Sequence, residues 1–253
     1  NFFYPSVNSS FVFSEAFKMP KFISYGKIRA SAAQVGNDAA PYLLESVFIT
    51  GTVGDGQVNS QVNFPLNGVP GFTQGNVIGN PAIKPEITTS IEAGLELGLF
   101  NNRLNFEGTF YSNRSKDQII TVPIAASSGY TTQTLNAGLI TNKGIELLLR
   151  GTPVKSRNFS WEVTATFTRN RNKVVELFPG TEQLALGGFN GGVLVAKVGQ
   201  PYGAFFGSSF LRSPEGNIVV DVTTGYPITD PVAKIHGNVQ PDFLAGLNNS
   251  FTY

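Results

Sequence analysis

Between residues 86 and 100 the side chains alternate without a break. Ile87, Thr89, Ile91, Ala93, Leu95, Leu97 and Leu99 fall on one side, and Glu86, Thr88, Ser90, Glu92, Gly94, Glu96 and Gly98 on the other. Successive side chains of a strand point to opposite faces. The spacing therefore predicts an amphipathic strand, longer than the ~5–6 residues usual in soluble sheets. A helix would mix the two sets. Asn101-Asn102 follows, a pair that tolerates the positive φ of a tight hairpin. The alternation resumes with Leu104, Phe106, Gly108 and Phe110 against Arg103, Asn105, Glu107 and Thr109. A second hairpin of the same design sets Ile145, Leu147 and Leu149 against Glu146, Leu148 and Arg150. After a polar turn over 153–158, Phe159, Trp161, Val163, Ala165 and Phe167 alternate with Ser160, Glu162, Thr164, Thr166 and Thr168.

Weaker strands are predicted over 23–35, 42–53, 118–124, 202–211, 218–222 and 243–253, and helical periodicity is nearly absent. The connections after Phe100 and Val154 are short. Those over 54–83, 125–141 and 174–200 are long and rich in Gly, Asn, Ser and Pro. Long loops are unusual in compact soluble domains but normal on one rim of an outer-membrane barrel. Phe100, Phe110, Tyr111, Phe159 and Trp161 fall near predicted strand ends, where interfacial aromatic girdles belong. These features favour a transmembrane antiparallel β-barrel over an extracellular β-sandwich, whose strands alternate in the same way.

Composition supports that reading. Charged residues make up 14% of the 253, against about a quarter in a soluble domain, while Gly (28), Phe (21) and Pro (15) are plentiful. Lys and Arg number 18 and Asp and Glu 17, so no basic field exists to attract nucleic acid. There is no cysteine, which excludes disulfides and thiolate metal sites. Apolar runs such as Leu147-Leu148-Leu149 are far short of the ~20 residues of a membrane helix, so any crossing must be made by strands. Asn1-Phe2-Phe3-Tyr4 has neither a start Met nor a signal-peptide order, and Phe251-Thr252-Tyr253 stops inside a predicted strand. Residues 1–253 are thus expected to form a partial barrel domain, truncated at both ends.

No catalytic constellation is evident, and the chain is expected to be neither an enzyme nor a cofactor carrier. His236 is the single histidine, and without a second His or any Cys a zinc site has too few ligands. No Gly-x-Ser-x-Gly elbow marks a nucleophile. Gly54-Asp-Gly-Gln and Gly187-Gly-Phe-Asn-Gly-Gly lack the residues that complete a nucleotide loop and read as loop glycines. The cluster Arg169-Asn-Arg-Asn-Lys173 reads as a charged strand end leaving the membrane, not a nucleic-acid site. Glu92, Glu96, Glu107, Glu146 and Glu162, with Arg103 and Arg150, occupy the polar positions and are candidates for a water-filled lumen. Phe72, Tyr130 and Phe189, in the long connections, are candidates to contact substrate.

The motifs themselves point to a family. Asn80-Pro-Ala-Ile-Lys-Pro-Glu-Ile-Thr-Thr-Ser-Ile-Glu-Ala-Gly-Leu-Glu-Leu, followed by Phe100-Asn-Asn-Arg-Leu, resembles a block of the SusC/RagA-type TonB-linked outer-membrane transporters. Ser115-Lys-Asp-Gln-Ile-Ile, Ser128-Gly-Tyr, Asn136-Ala-Gly, Thr141-Asn-Lys-Gly-Ile-Glu-Leu, Phe159-Ser-Trp and Asn170-Arg-Asn-Lys-Val recur in the family's order. Tyr4-Pro-Ser-Val, Ile28-Arg-Ala-Ser and Val35-Gly-Asn match upstream, and Gly199-Gln-Pro-Tyr-Gly and Gly237-Asn-Val-Gln-Pro-Asp-Phe downstream. The resemblance implies about half the wall of a 22-stranded barrel in the bacterial outer membrane, without the plug, which is not in this chain. It also implies import of glycans or peptides with a SusD-like lipoprotein, energised by TonB through a segment not in this chain. A passive or structural barrel and a secreted carbohydrate-binding β-sandwich are the alternatives.

Overall fold

The computed structural model describes residues 3–54, 61–189 and 192–253. In chain order the strands are β1 (Ser6–Phe11), β2 (Ile23–Asn37), β3 (Phe48–Thr50), β4 (Thr52–Gly54), β5 (Gln61–Asn63), β6 (Phe72–Gln74), β7 (Val77–Ile78), β8 (Glu86–Leu99) and β9 (Leu104–Lys116). There follow β10 (Ile119–Pro123), β11 (Thr132–Asn136), β12 (Leu139–Lys155), β13 (Ser160–Glu176), β14 (Gln183–Phe189), β15 (Gly192–Lys197), β16 (Ala204–Gly207), β17 (Lys234–Asn238) and β18 (Leu244–Thr252). The one α-helix among the described residues, α1 (Phe13–Ala16), is a single turn. The chain forms two compact units. The first comprises Asn1–Val35, Thr88–Ser115 and Leu139–Tyr253, and the second Gly36–Ile87 and Lys116–Gly138.

The first unit is built on an open seven-stranded sheet in the order β1-β2-β8-β9-β12-β13-β18, which keeps chain order while longer segments separate β2 from β8, β9 from β12 and β13 from β18. The pairs β1–β2, β12–β13 and β13–β18 are antiparallel, with Ile28 opposite Phe11, Leu147 opposite Phe167 and Ala165 opposite Leu247. Between β8 and β9, Phe100, Asn101 and Asn102 all take φ between 54° and 60°. That left-handed backbone reverses the strands in a short turn, and the two asparagines adopt it at low steric cost. The turn after β12 is closed by Ser156, whose amide donates to the Phe159 carbonyl at 2.8 Å while its Oγ accepts from the Phe159 amide at 3.1 Å.

Register and pleat together sort the side chains into two faces. The apolar face carries Val7, Ile28, Ile91, Leu95, Phe110, Leu147, Leu149, Ala165, Phe167 and Leu247. Much of it is uncovered: Val7 is 67% exposed and Leu247 70%. Aromatic residues border it at both ends. At the short-turn end Trp161 stacks on Phe251 with ring centroids 5.9 Å apart, and Phe22 meets Phe100 at 6.3 Å. At the long-loop end Phe167 stacks on Phe243 at 5.7 Å.

The buried cluster of this unit lies at the end of β13, where Val174 and Leu177 pack with Ala196 against Leu184. Val174 is fixed there by exchanging backbone bonds with Gln200 and Gly199 at 2.9 and 2.8 Å. The connection thus folds as an antiparallel sheet in the order β14-β15-β16-β17. From β16 it extends as a ribbon of isolated bridges that pair Phe210 with Thr229 and Val220 with Pro227. At its turn the amides of Thr224 and Thr223 and the Thr224 hydroxyl hold the Asp221 carboxyl below the usual carboxylate range.

The second unit contains a three-stranded sheet in the order β10-β11-β7 and the two-stranded pairs β3–β6 and β4–β5. Thr134, Val122 and Ala137 are buried in it.

Several expectations are corrected. The connection over 174–200 holds β14 and β15, and β13 itself runs on to Glu176. Of the predicted strands, 42–53 reduces to β3 and the start of β4, 202–211 to β16, and 218–222 to isolated bridges. The connections over 54–83 and 125–141 contain β5 to β7 and β11. Because β9 continues to Lys116, Phe110 and Tyr111 lie in mid-strand and not near its end.

Candidate functional site

The opposite face of the seven-stranded sheet is polar and bonded across strands. Lys27 on β2 donates to Glu96 Oε1 on β8 at 3.0 Å, and Arg29 donates through Nη2 to Thr109 Oγ1 on β9 at 2.7 Å. The hydroxyls of Thr88 and Ser115 bond at 2.8 Å. Arg29 reaches Thr109 by crossing Gly94, whose missing side chain leaves room for the guanidinium arm. A groove of about 270 Å³ opens on this face, lined by Asn8, Ser10, Lys27, Arg29, Glu92 and Gly94. It presents charges of both signs together with hydroxyl and amide groups, which suits transient hydrogen bonding to a polar solute. No group of three or more His, Cys, Asp or Glu among the described residues could hold a metal ion.

A second crossing staples three strands. Tyr111 on β9 passes over Gly144 on β12 and donates its hydroxyl to Asn170 Oδ1 on β13 at 3.2 Å. A Cβ at Gly144 would overlap the Tyr111 ring and lie 2.7 Å from the Arg169 carbonyl oxygen. Gly144→Val is therefore expected to lower stability by about 1–3 kcal/mol through overpacking. Tyr111→Phe, which loses only the bond, should cost about 1 kcal/mol. The temperature at which the barrel loses its fast-migrating folded form on gels measures both, and equal midpoints for Gly144→Val and the unaltered protein would refute the close approach.

The sequence-predicted residues occupy varied positions. Glu92 lines the groove and Glu96 pairs with Lys27. Glu107 is exposed on the polar face of β9, and Glu146 lies opposite Thr168 on that of β12. Arg150 and Glu162 form an exposed ion pair at 3.8 Å. Arg103 is a turn residue, whose guanidinium donates to the carbonyls of Thr152 and Pro153 at 3.3 and 3.2 Å. Phe72, on β6, is 62% exposed, and Tyr130 is half-buried after the 3₁₀ turn Ala126–Ser128. Phe189 ends β14, and its side chain lies outside the described residues. His236 lies within β17, its Nε2 3.2 Å from the Gly207 carbonyl.

In the second unit the motif residues form a polar node that their spacing alone did not disclose. Asn136 Oδ1 accepts from the Lys84 amide at 2.6 Å, and its Nδ2 donates to the carbonyls of Lys84 and Asp117 at 2.6 and 2.9 Å. Glu86 accepts from the Ile119 amide at 2.8 Å and from Asn37 Nδ2 at 3.1 Å. Asn80 donates to the Thr134 carbonyl at 3.1 Å and caps the Ala82 amide at 3.0 Å. These side chains satisfy backbone groups of irregular segments that no strand ladder could satisfy.

Comparison with known proteins agrees with this architecture. A family model described as "TonB dependent receptor-like, beta-barrel" matches residues 1–249. TonB-dependent receptor P3 of Formosa agariphila is 28% identical over 91% of this chain and 24% of its own length. TonB-dependent receptor P26 of the same organism is 28% identical over 99% and 27%. The chain thus spans about a quarter of these relatives. Among solved structures, the RagAB peptide transporter superposes with a TM-score of 0.76 at 22% identity, over 99% of this chain and 28% of that one. The RagAB peptide importer in its "open-open" state gives 0.73 at 22% identity, over 98% and 27%.

Proposed function

Because the chain belongs to the TonB dependent receptor-like β-barrel family of the outer membrane, we propose that it forms part of the wall of an active importer of peptides or glycans. The apolar face meets lipid. The polar face, with Glu92, Glu96, Glu107, Glu146, Arg150 and Glu162, lines the water-filled interior. The observation that carries this reading is the pair of faces itself: seven neighbouring strands keep one side apolar and bordered by aromatic residues, and the other bonded and charged.

Energy reaches such a barrel through TonB, and substrate is delivered by a SusD-like lipoprotein over the long-loop rim, where β14–β17 are carried. RagAB, a solved structure of the same fold, is a peptide importer, which supports peptides as one substrate class. Purification of the full-length protein from native membranes in mild detergent is expected to recover a SusD-like lipoprotein in near-equal amount. Recovery of bare barrels alone, under conditions that preserve related complexes, would overturn the partnership.

A further inference from the structure

We propose that the apolar face carries, at its long-loop end, a docking surface for the phosphates of a lipid A-type glycolipid; the proposal rests on that face meeting lipid. Beyond Phe167 the same face of β13 continues with Arg169, Arg171 and Lys173, and beyond Ile145 that of β12 continues with Lys143. The register pairs Ile145 with Arg169, Lys143 with Arg171 and Thr141 with Lys173. On β9, Gly108 lies against Leu147 and Tyr111 over Gly144, and this antiparallel register places Arg114 level with Thr141. Five cations on three neighbouring strands thus share one face.

Arrangement and charge both call for an anion. Lys143 and Arg171 are directly opposed, a like-charge pairing that destabilises a sheet unless it is compensated. Asp242 pairs with Arg171 at 2.6 Å, so five cations less one carboxylate leave a net charge of +4. Arg114, Lys143, Arg169 and Lys173 are all exposed, and none pairs with a carboxylate of the described residues. Height fits as well. Ten residues separate Phe159, at the short-turn border, from Arg169. At ~3.3 Å per residue and a tilt of 35–45° this is about 23–27 Å, the height of a barrel's apolar band. The cations begin where acyl chains end and headgroups start. A soluble anion would need only the charges, whereas a phosphorylated lipid also uses the apolar rows that lead up to them.

The test incubates the full-length protein in neutral detergent with bisphosphorylated lipid A, or with the same lipid A after dephosphorylation. Lipid retained per protein is counted by mass spectrometry after gel filtration. The native protein should prefer the phosphorylated form by about tenfold or more. The preference should fall severalfold between low and high salt, and should vanish in the fourfold variant Arg114→Gln, Lys143→Gln, Arg169→Gln, Lys173→Gln. Inorganic phosphate at the same concentration should not displace the lipid; full displacement would mean a phosphate site without a lipid and would overturn the proposal. Equal retention of the two lipids overturns it while leaving the lipid-facing assignment intact. Retention of neither overturns that assignment too. If the fourfold variant does not assemble, the salt series on the native protein decides, and an unchanged preference refutes the proposal.

Discussion

Leu95→Arg should sharply reduce the folded, heat-modifiable fraction of the full-length protein in the outer membrane, whereas Glu96→Gln should leave it nearly unchanged. The two residues are neighbours on β8 and point to opposite faces. Leu95 lies five residues from Phe100, which borders the apolar face. With the rise and tilt of a barrel strand this puts it about 13 Å above that border, near the middle of the band. A cation there costs about 2–4 kcal/mol. Glu96 loses one ion pair with Lys27, worth about 0–1 kcal/mol, and keeps a polar side chain on a polar face. Equal tolerance of the two changes, or greater damage from Glu96→Gln, would show that the faces are reversed or that the strand does not cross a membrane.

Asn136→Ala should unfasten the second unit. The substitution removes three hydrogen bonds to the backbone of Lys84 and Asp117 at once. At about 0.5–1.5 kcal/mol for each of the three bonds the loss is about 1.5–4.5 kcal/mol of local stability. Hydrogen exchange on the full-length protein reads it directly: the Lys84 and Ala137 amides, and those of β10 and β11, should lose protection while β12 and β13 keep theirs. Unchanged protection at Lys84 would mean that water replaces Asn136 at no cost.

The two hairpins were legible because their alternation is continuous and one side of it is apolar. The pattern loses its force where a strand leaves the apolar band. The alternation shows β9 only to Phe110 because Ser112, Asn113 and Arg114 follow, and β13 runs three residues into the connection expected from 174 because Val174 packs into the buried cluster there. β1, with the sequence Ser-Val-Asn-Ser-Ser-Phe, has too few apolar positions to show a period. The candidate carboxylates were placed on the polar strand positions by parity alone. Arg103 broke that rule because a turn residue answers to nearby carbonyls and not to the pleat. Asn136 and Glu86 stand out only as motif residues, since their partners lie 19 to 52 positions away and no local pattern reports them.

The sheet inserted between β13 and β18 bears on the order of folding. Every other hydrogen-bonded neighbour of β13 is reached through a short turn, but β18 is reached across residues 177–243. Closing a flexible loop of that length would cost about 2.5 kcal/mol more than closing the four-residue turn at Ser156. The insert shortens the search. Val174 is clamped to Gln200, and Gly203 to Val239, so the chain that leaves β13 returns to within a few residues of β18 once β14 to β17 have formed. Pairing of β18 is then a local event that waits on the insert, and the rate at which the wall grows past β13 is governed by a sheet that contributes no strand to it.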